Sequence, residues 1–160
     1  MGWGTRTIQG TPYRLQHLDP FTFAENGKRI RVQIGAHAFT REQRAGDHPD
    51  LCFMDGKTPR TFCVTRYGHS LHLPAAIIAA SKGYVFHNQS KFAFKGNLPG
   101  VNGPYVIAFE LRLSTSPKYD LKMQIVSAHW RKKAAKMPRC HFHDAMDAVA
   151  KKGKIPWKKK

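Results

Sequence analysis

Apolar and polar side chains alternate most clearly between Tyr105 and Arg131, and this pattern predicts two strands joined by a turn. In the first strand one face is entirely apolar: Tyr105, Ile107, Phe109, Leu111 and Leu113. In the second strand alternate positions begin apolar and end polar: Leu121, Met123, Ile125, Ser127 and His129. A hairpin symmetric about Pro117 would place Tyr105 opposite His129 and Ile107 opposite Ser127. We therefore expect the core face of this hairpin to end as the floor of a polar cleft; the alternative is that the strand simply ends in solvent.

The same criteria predict further elements on both sides of this hairpin. Asn26-Gly27 and Asp55-Gly56 are hairpin turn signals between strands at 21–34 and 51–65. Short strands are expected at 84–86 and 91–95. A helix is predicted over 74–82, with Pro74 in its first turn, and an amphipathic helix over about 141–152, because apolar residues recur there at helical spacing.

These elements predict an α+β fold: a mainly antiparallel sheet with one central packed helix and a C-terminal amphipathic helix. We expect one domain over residues 1–153, with a loose arm at 1–19, β-hairpins at 20–65 and the main sheet at 66–131. Residues 154–160 are predicted to form a flexible basic tail without a core.

The charge of the chain changes this picture, because 27 Lys and Arg stand against 10 Asp and Glu, for a formal net charge of +17. Such an imbalance makes a compact chain repel itself, and an anionic partner is its usual reason. Nucleic acid is the commonest such partner. The alternatives are an anionic membrane surface and an acidic protein. No segment is long enough and apolar enough to predict a membrane span.

Three irregularly spaced cysteines, Cys52, Cys63 and Cys140, predict free thiols and a reducing compartment rather than a disulfide framework. The first ten residues contain no apolar segment typical of a secretory signal. We therefore expect a cytoplasmic protein, or one delivered into a target cell by another route.

Histidines near other polar residues suggest three kinds of chemistry. Cys140, His141 and His143, and the pair His69 and His72, match no complete zinc spacing, so we expect no metal or other cofactor. A serine beside a histidine could support acyl transfer, but the chain lacks a G-x-S-x-G motif.

The third kind of chemistry is RNA cleavage through the 2′-OH, which needs a base, an acid and cations around the phosphate. Histidine is the natural acid or base at neutral pH, and Arg or Lys binds the phosphate. The predicted catalytic residues are His129, His69, His72, Ser127 and Arg66. The predicted phosphate-binding residues are Arg131, Ser70, Lys91, Lys95 and Tyr105.

Two short motifs are similar to the barnase–EndoU–RelE superfamily of small ribonucleases, which includes phage proteins and bacterial toxins. They are R-Y-G-H-S-L-H at 66–72, before the predicted helix, and I-V-S-A-H-W at 125–130. The resemblance covers about residues 66–131. Many members have Tyr where this chain has His129, and the hairpins before Arg66 have no counterpart.

This resemblance implies a metal-independent endoribonuclease, toxin-like or phage-encoded, that leaves a 2′,3′-cyclic phosphate. It assigns Arg66, His69 and His72 to the helix side of the site, and Ser127 and His129 to the last strand. It also implies an acidic immunity or antitoxin protein as a partner. The alternative is a non-enzymatic basic protein that binds nucleic acid or blocks an anionic surface with the same cations.

Overall fold

A computed structural model describes residues 2–159 of the chain; Met1 and Lys160, the ends of the predicted arm and tail, lie outside it. The strands within this range are β1 (Thr5–Ile8), β2 (Thr11–Arg14), β3 (Phe21–Glu25), β4 (Lys28–Ile34), β5 (Thr40–Glu42), β6 (Cys52–Asp55), β7 (Thr58–Phe62), β8 (Tyr84–Asn88), β9 (Lys91–Gly96), β10 (Tyr105–Leu113), β11 (Leu121–Trp130) and β12 (Arg139–His141). The α-helices are α1 (Val64–Ser70), α2 (Leu73–Ala80) and α3 (Phe142–Ala150). The predicted α+β class with a mostly antiparallel sheet and a C-terminal helix is confirmed.

The main sheet has seven strands in the order β12-β8-β9-β10-β11-β4-β3. Its pairs are antiparallel except β11 with β4. Two smaller sheets are formed by β1-β2 and by β5-β7-β6. Because β3 and β4 belong to the main sheet, the predicted segments 20–65 and 66–131 share one structure.

One face of the main sheet forms the core. α3 packs there, since the Phe142 ring lies 5.0 Å from the Phe94 ring and 6.1 Å from the Phe109 ring. α2 adds the fully buried Leu73 and Ile77. The opposite face carries the intervening, more polar positions, because successive residues of a strand point to opposite sides.

The pairing of β10 with β11 contains an irregularity that decides where the polar end of β11 points. Phe109 pairs with Ile125 as the symmetric hairpin predicts, but Ala108 pairs with Ser127, so Val126 is an extra residue in β11. Beyond this bulge Val106 pairs with His129, and Tyr105 pairs with Trp130. The expected pair of Tyr105 with His129 is therefore wrong by one residue. His129 and Ser127 lie on the face opposite the core, and fully buried Ala128 takes the core position.

The segment before the central helix also differs from expectation. Val64–Ser70 is helical, so most of the polar motif at 66–72 forms α1 and does not lie in a loop at a helix N-terminus. α2 then begins at Leu73, which gives two short helices where the pattern predicted one.

The described residues near both chain ends are packed. In the predicted loose arm, β1 pairs with β2 and the side chains of Leu15 and Leu18 are fully buried. In the predicted flexible tail, Trp157 stacks on His87 with ring centroids 4.8 Å apart, and Lys158 bridges to Arg139. The arm and the tail were predicted from amino-acid composition, which does not report these aromatic and apolar contacts. Within residues 2–159, no helix has the length and apolarity needed to span a membrane.

Candidate functional site

Arg66 lies at the centre of the candidate site, where α1 meets β11 and a short 3-10 helix, Ala36–Ala38, that follows β4. Its Nη1 donates to the Thr40 carbonyl oxygen at 2.6 Å. The buried Arg60 donates through Nε to the Thr40 hydroxyl at 2.8 Å. Neither guanidinium has a carboxylate within ion-pair distance among residues 2–159. Arg60 is buried and feels the charges of Asp55 and Glu42, so Arg66 is the member of this pair that can attract an anion.

His129 lies close to this charge. Its Nδ1 is buried and has no hydrogen-bond partner among the described residues. Burial, with the positive charges of Arg131 and Arg66, lowers the pKa of His129 to about 4. The imidazole is therefore neutral at pH 7 and can accept a proton.

Tyr105 approaches Arg66 from the core side of the sheet. Its side chain is fully buried, and its hydroxyl has no hydrogen-bond partner within residues 2–159. Burial raises the pKa of Tyr105, and the charge of Arg66 opposes that rise. The phenol thus stays protonated and able to donate. We use the term Arg66 cluster for Arg60, Arg66, Tyr105, His129 and Arg131.

His69 and His72 extend the cluster along α1. The His69 ring meets the Tyr105 ring edge-on at 6.1 Å. Burial and the neighbouring His72 lower the pKa of His69. His72 is exposed. Neither histidine makes a ring contact or hydrogen bond with His129 in the described part of the chain, and the link between them passes through Tyr105 and Arg66.

Ser127 and Lys95 lie on the same sheet face as His129. Lys95 and His129 both pair with Val106, so Lys95, Val106 and His129 form one row across the sheet. The Lys95 ammonium donates to the Ala135 carbonyl oxygen at 2.9 Å. A small pocket of about 50 Å³ lies between Val106, Arg131 and the segment 134–137. These positions give the cluster an accessible basic side.

Two predicted residues lie apart from the cluster. Ser70 is fully buried, and its hydroxyl donates to the Tyr67 carbonyl oxygen and lies 2.9 Å from His17 Nε2. Lys91 lies towards the other end of β9 and pairs with Glu110 at 3.4 Å. The structure therefore gives neither of them a place beside Arg66.

The sequence prediction missed His37 and Arg60, which lie near Arg66, and Asp55, which lies beside His37. His37 Nε2 lies 3.2 Å from Asp55 Oδ2. Burial and the charge of Arg60 lower the pKa of His37, and Asp55 opposes this effect. The signal in the sequence was that His37 comes shortly after the end of a predicted strand, and many ordinary residues share this position.

The remaining polar features lie elsewhere. A cavity of about 520 Å³ is lined by residues that include Tyr84, Arg139 and His141 at the β12 edge of the sheet. Over residues 2–159, no group of three or more His, Cys, Asp or Glu side chains is arranged to hold a metal ion. The three cysteines are free, as predicted.

Comparison with known proteins gives a family match. No curated protein and no solved structure matches the chain. The model of the YjaZ family matches residues 5–150, which include all three α-helices and the whole Arg66 cluster. On that match, the chain belongs to the YjaZ family.

Proposed function

We propose that this protein is a metal-independent endoribonuclease that binds RNA at the Arg66 cluster and cleaves it through the 2′-OH. One observation carries the proposal. His129 Nδ1, a buried polar atom without a hydrogen-bond partner among the described residues, lies near Arg66, which has no carboxylate within ion-pair distance in that part of the chain. Buried polar groups normally have partners, and their absence points to a ligand that supplies them.

The chemistry assigns roles to members of the Arg66 cluster. Arg66 and Arg131 bind the scissile phosphate. Tyr105 has no role in this scheme, because its side chain is fully buried on the core face of the sheet and His129 lies on the opposite face. Neutral His129 takes the proton of the 2′-OH as its oxygen attacks phosphorus. The 2′-O–P bond forms, the P–O5′ bond breaks, and the departing 5′-oxygen receives a proton from a second group. The products are a 2′,3′-cyclic phosphate and a 5′-hydroxyl.

Two further observations support this proposal. The formal net charge of +17 suits a polyanionic substrate. The motifs at 66–72 and 125–130, which resemble those of toxin-like and phage ribonucleases, contain Arg66 and His129. A nuclease of this kind predicts an acidic inhibitor protein made in the same cell, which would cover the cationic site.

A second candidate is a non-enzymatic protein that binds nucleic acid. The bulge at Val126 favours it, because it places His129 on the face opposite Tyr105, against whose ring His69 packs. Burial lowers the pKa values of His129 and His69, and no carboxylate of residues 2–159 lies beside either ring to oppose that effect, so neither of these two histidines is a ready acid at pH 7. This protein would use the arginines and would not need His129.

His129→Ala separates the two candidates. For a nuclease, the variant loses at least about 100-fold in cleavage rate of labelled RNA, in the presence of a chelator, and keeps salt-sensitive RNA binding. His48→Ala, at an exposed histidine, serves as the matched control and should cleave normally. If the unmodified protein binds RNA but cleaves no RNA with the chelator present, the second candidate is correct.

A further inference from the structure

We propose that His37 is the general acid that protonates the departing 5′-oxygen, and that Asp55 is its positioning residue. This inference rests on the proposed ribonuclease function and supplies the second proton-transfer group that the function requires. The sequence resemblance begins at Arg66. His37 and Asp55, which precede it in the chain, would thus complete the site.

The backbone holds His37 beside Arg66. His37 is the middle residue of the 3-10 helix Ala36–Ala38, which contacts both β11 and α1. The Thr40 hydroxyl donates to the Ala36 carbonyl oxygen at 2.6 Å, and Arg66 donates to the Thr40 carbonyl oxygen. The segment that carries His37 is therefore tied directly to the Arg66 guanidinium.

The two histidines near Arg66 have different electrostatic surroundings. His129 has Arg131 and Arg66 near it and no carboxylate within ion-pair distance among the described residues, which suits a base that is neutral at rest. The groups that face His37 are Arg60, Arg66 and the carboxylate of Asp55. Burial and the two arginines lower the pKa of His37, and Asp55 opposes them. The Asp55 carboxylate lies 3.2 Å from Nε2, where it stabilises the imidazolium and leaves Nδ1 for proton transfer.

The complete step then balances. His129 removes the 2′-OH proton while the new 2′-O–P bond forms. The P–O5′ bond breaks, and the His37 imidazolium gives its proton to the 5′-oxygen. Neutral His37 and protonated His129 remain, and proton exchange with water restores the starting forms. The polyanionic RNA favours the protonated state of His37 in the complex.

The inference is tested with a substrate that needs no acid. RNA in which sulfur replaces the bridging 5′-oxygen has a leaving group that departs as a thiolate without protonation. His37→Gln should cleave ordinary RNA about 100 to 1,000 times more slowly than the unmodified protein and cleave the sulfur substrate at nearly the unmodified rate. His129→Ala should be slow on both substrates, because a base is needed for each.

In a plot of kcat/KM against pH, the fall at high pH reports the pKa of His37. Asp55→Asn should move that fall to lower pH, because it removes the charge that raises the pKa of His37. The pair His48 and Asp50, 3.6 Å apart and exposed, gives the matched controls His48→Gln and Asp50→Asn, which should leave both the rate and the pH profile unchanged. Thermal unfolding confirms that each variant folds.

Three results would overturn the inference. If His37→Gln lost the same factor in cleavage rate on both substrates, His37 would have a structural role. If His37→Gln cleaved ordinary RNA at the normal rate, His37 would take no part in the reaction. Either result leaves the ribonuclease proposal intact if His129→Ala is inactive. Absence of cleavage by the unmodified protein would overturn both proposals together.

Discussion

His129 shows how a single residue links stability to the candidate site. Burial and two arginines lower its pKa to about 4 in the folded protein, against about 6.5 when unfolded. As pH falls below 6.5 the unfolded chain takes up a proton that the folded chain takes up only near pH 4. The folded state therefore loses stability across this window, by an amount on the order of 3 kcal/mol when complete.

His129→Asn should remove this acid sensitivity. The free energy of unfolding, measured in urea at pH 7 and pH 4, should differ less in the variant than in the unmodified protein, by about 2 to 3 kcal/mol. His48→Asn is the control for loss of an exposed histidine. An unchanged difference between the two pH values in His129→Asn would mean that the imidazole is hydrated and not buried against the arginines.

At the scale of elements, the hydropathy pattern predicted the strands and the last helix because their signals are local. Asn26 and Gly27 both have positive φ, at 51° and 70°, and form the hairpin turn that their sequence indicated. The alternation in β10 and the start of β11 correctly placed Leu111 opposite Met123.

The site was harder to predict because its geometry depends on one inserted residue. Val126 is a good strand residue, and nothing in its type marks a bulge. Yet this residue moves His129 from the core face to the opposite face. His37 and Arg66 come together through contacts between segments that are far apart in sequence. The hydrophobic periodicity of a strand or helix is a local signal and does not predict such contacts.

The turn that leads into β10 gives a test of how tightly the end of the central hairpin is built. Gly103 has φ +103°, and an added Cβ would lie 2.7 Å from Trp130 Nε1 and 2.8 Å from the Arg131 carbonyl oxygen. Trp130 Nε1 also donates to the Asn102 carbonyl oxygen. Gly103→Ala should destabilise the protein by about 2 to 4 kcal/mol, from backbone strain and from displacement of this end of β11.

Gly100→Ala separates these two causes. Gly100 also has positive φ, at +69°, but no atom lies within 4 Å of its added Cβ, so only strain of about 1 kcal/mol is expected. Urea unfolding of both variants gives the comparison. Equal losses would mean that the contact with Trp130 and Arg131 relaxes without cost, and that the end of β11 is held by other interactions.

At the scale of the whole molecule, salt should act in opposite directions on folding and on RNA binding. The net charge of +17 makes the folded chain repel itself, and salt screens that repulsion. Raising sodium chloride from about 50 mM to about 500 mM should therefore raise the melting temperature of the free protein. The same change should weaken RNA binding. Each phosphate contact releases counterions from the RNA, and this release is less favourable when the salt concentration is high.

The slope of log K against log salt counts the phosphate contacts, so single substitutions can locate them. Arg66→Gln should reduce the slope by about 1, because its guanidinium has no carboxylate partner among the described residues and faces the proposed phosphate. Arg41→Gln also removes one positive charge, but the Arg41 guanidinium is already paired with Asp47, with Nη2 2.6 Å from Oδ1. This variant should therefore leave the slope nearly unchanged. Fluorescence anisotropy with RNA carrying a 2′-O-methyl group at every position measures binding without cleavage. Equal slopes for Arg66→Gln and the unmodified protein would place the phosphate contacts on the general basic surface and would remove Arg66 from the binding site.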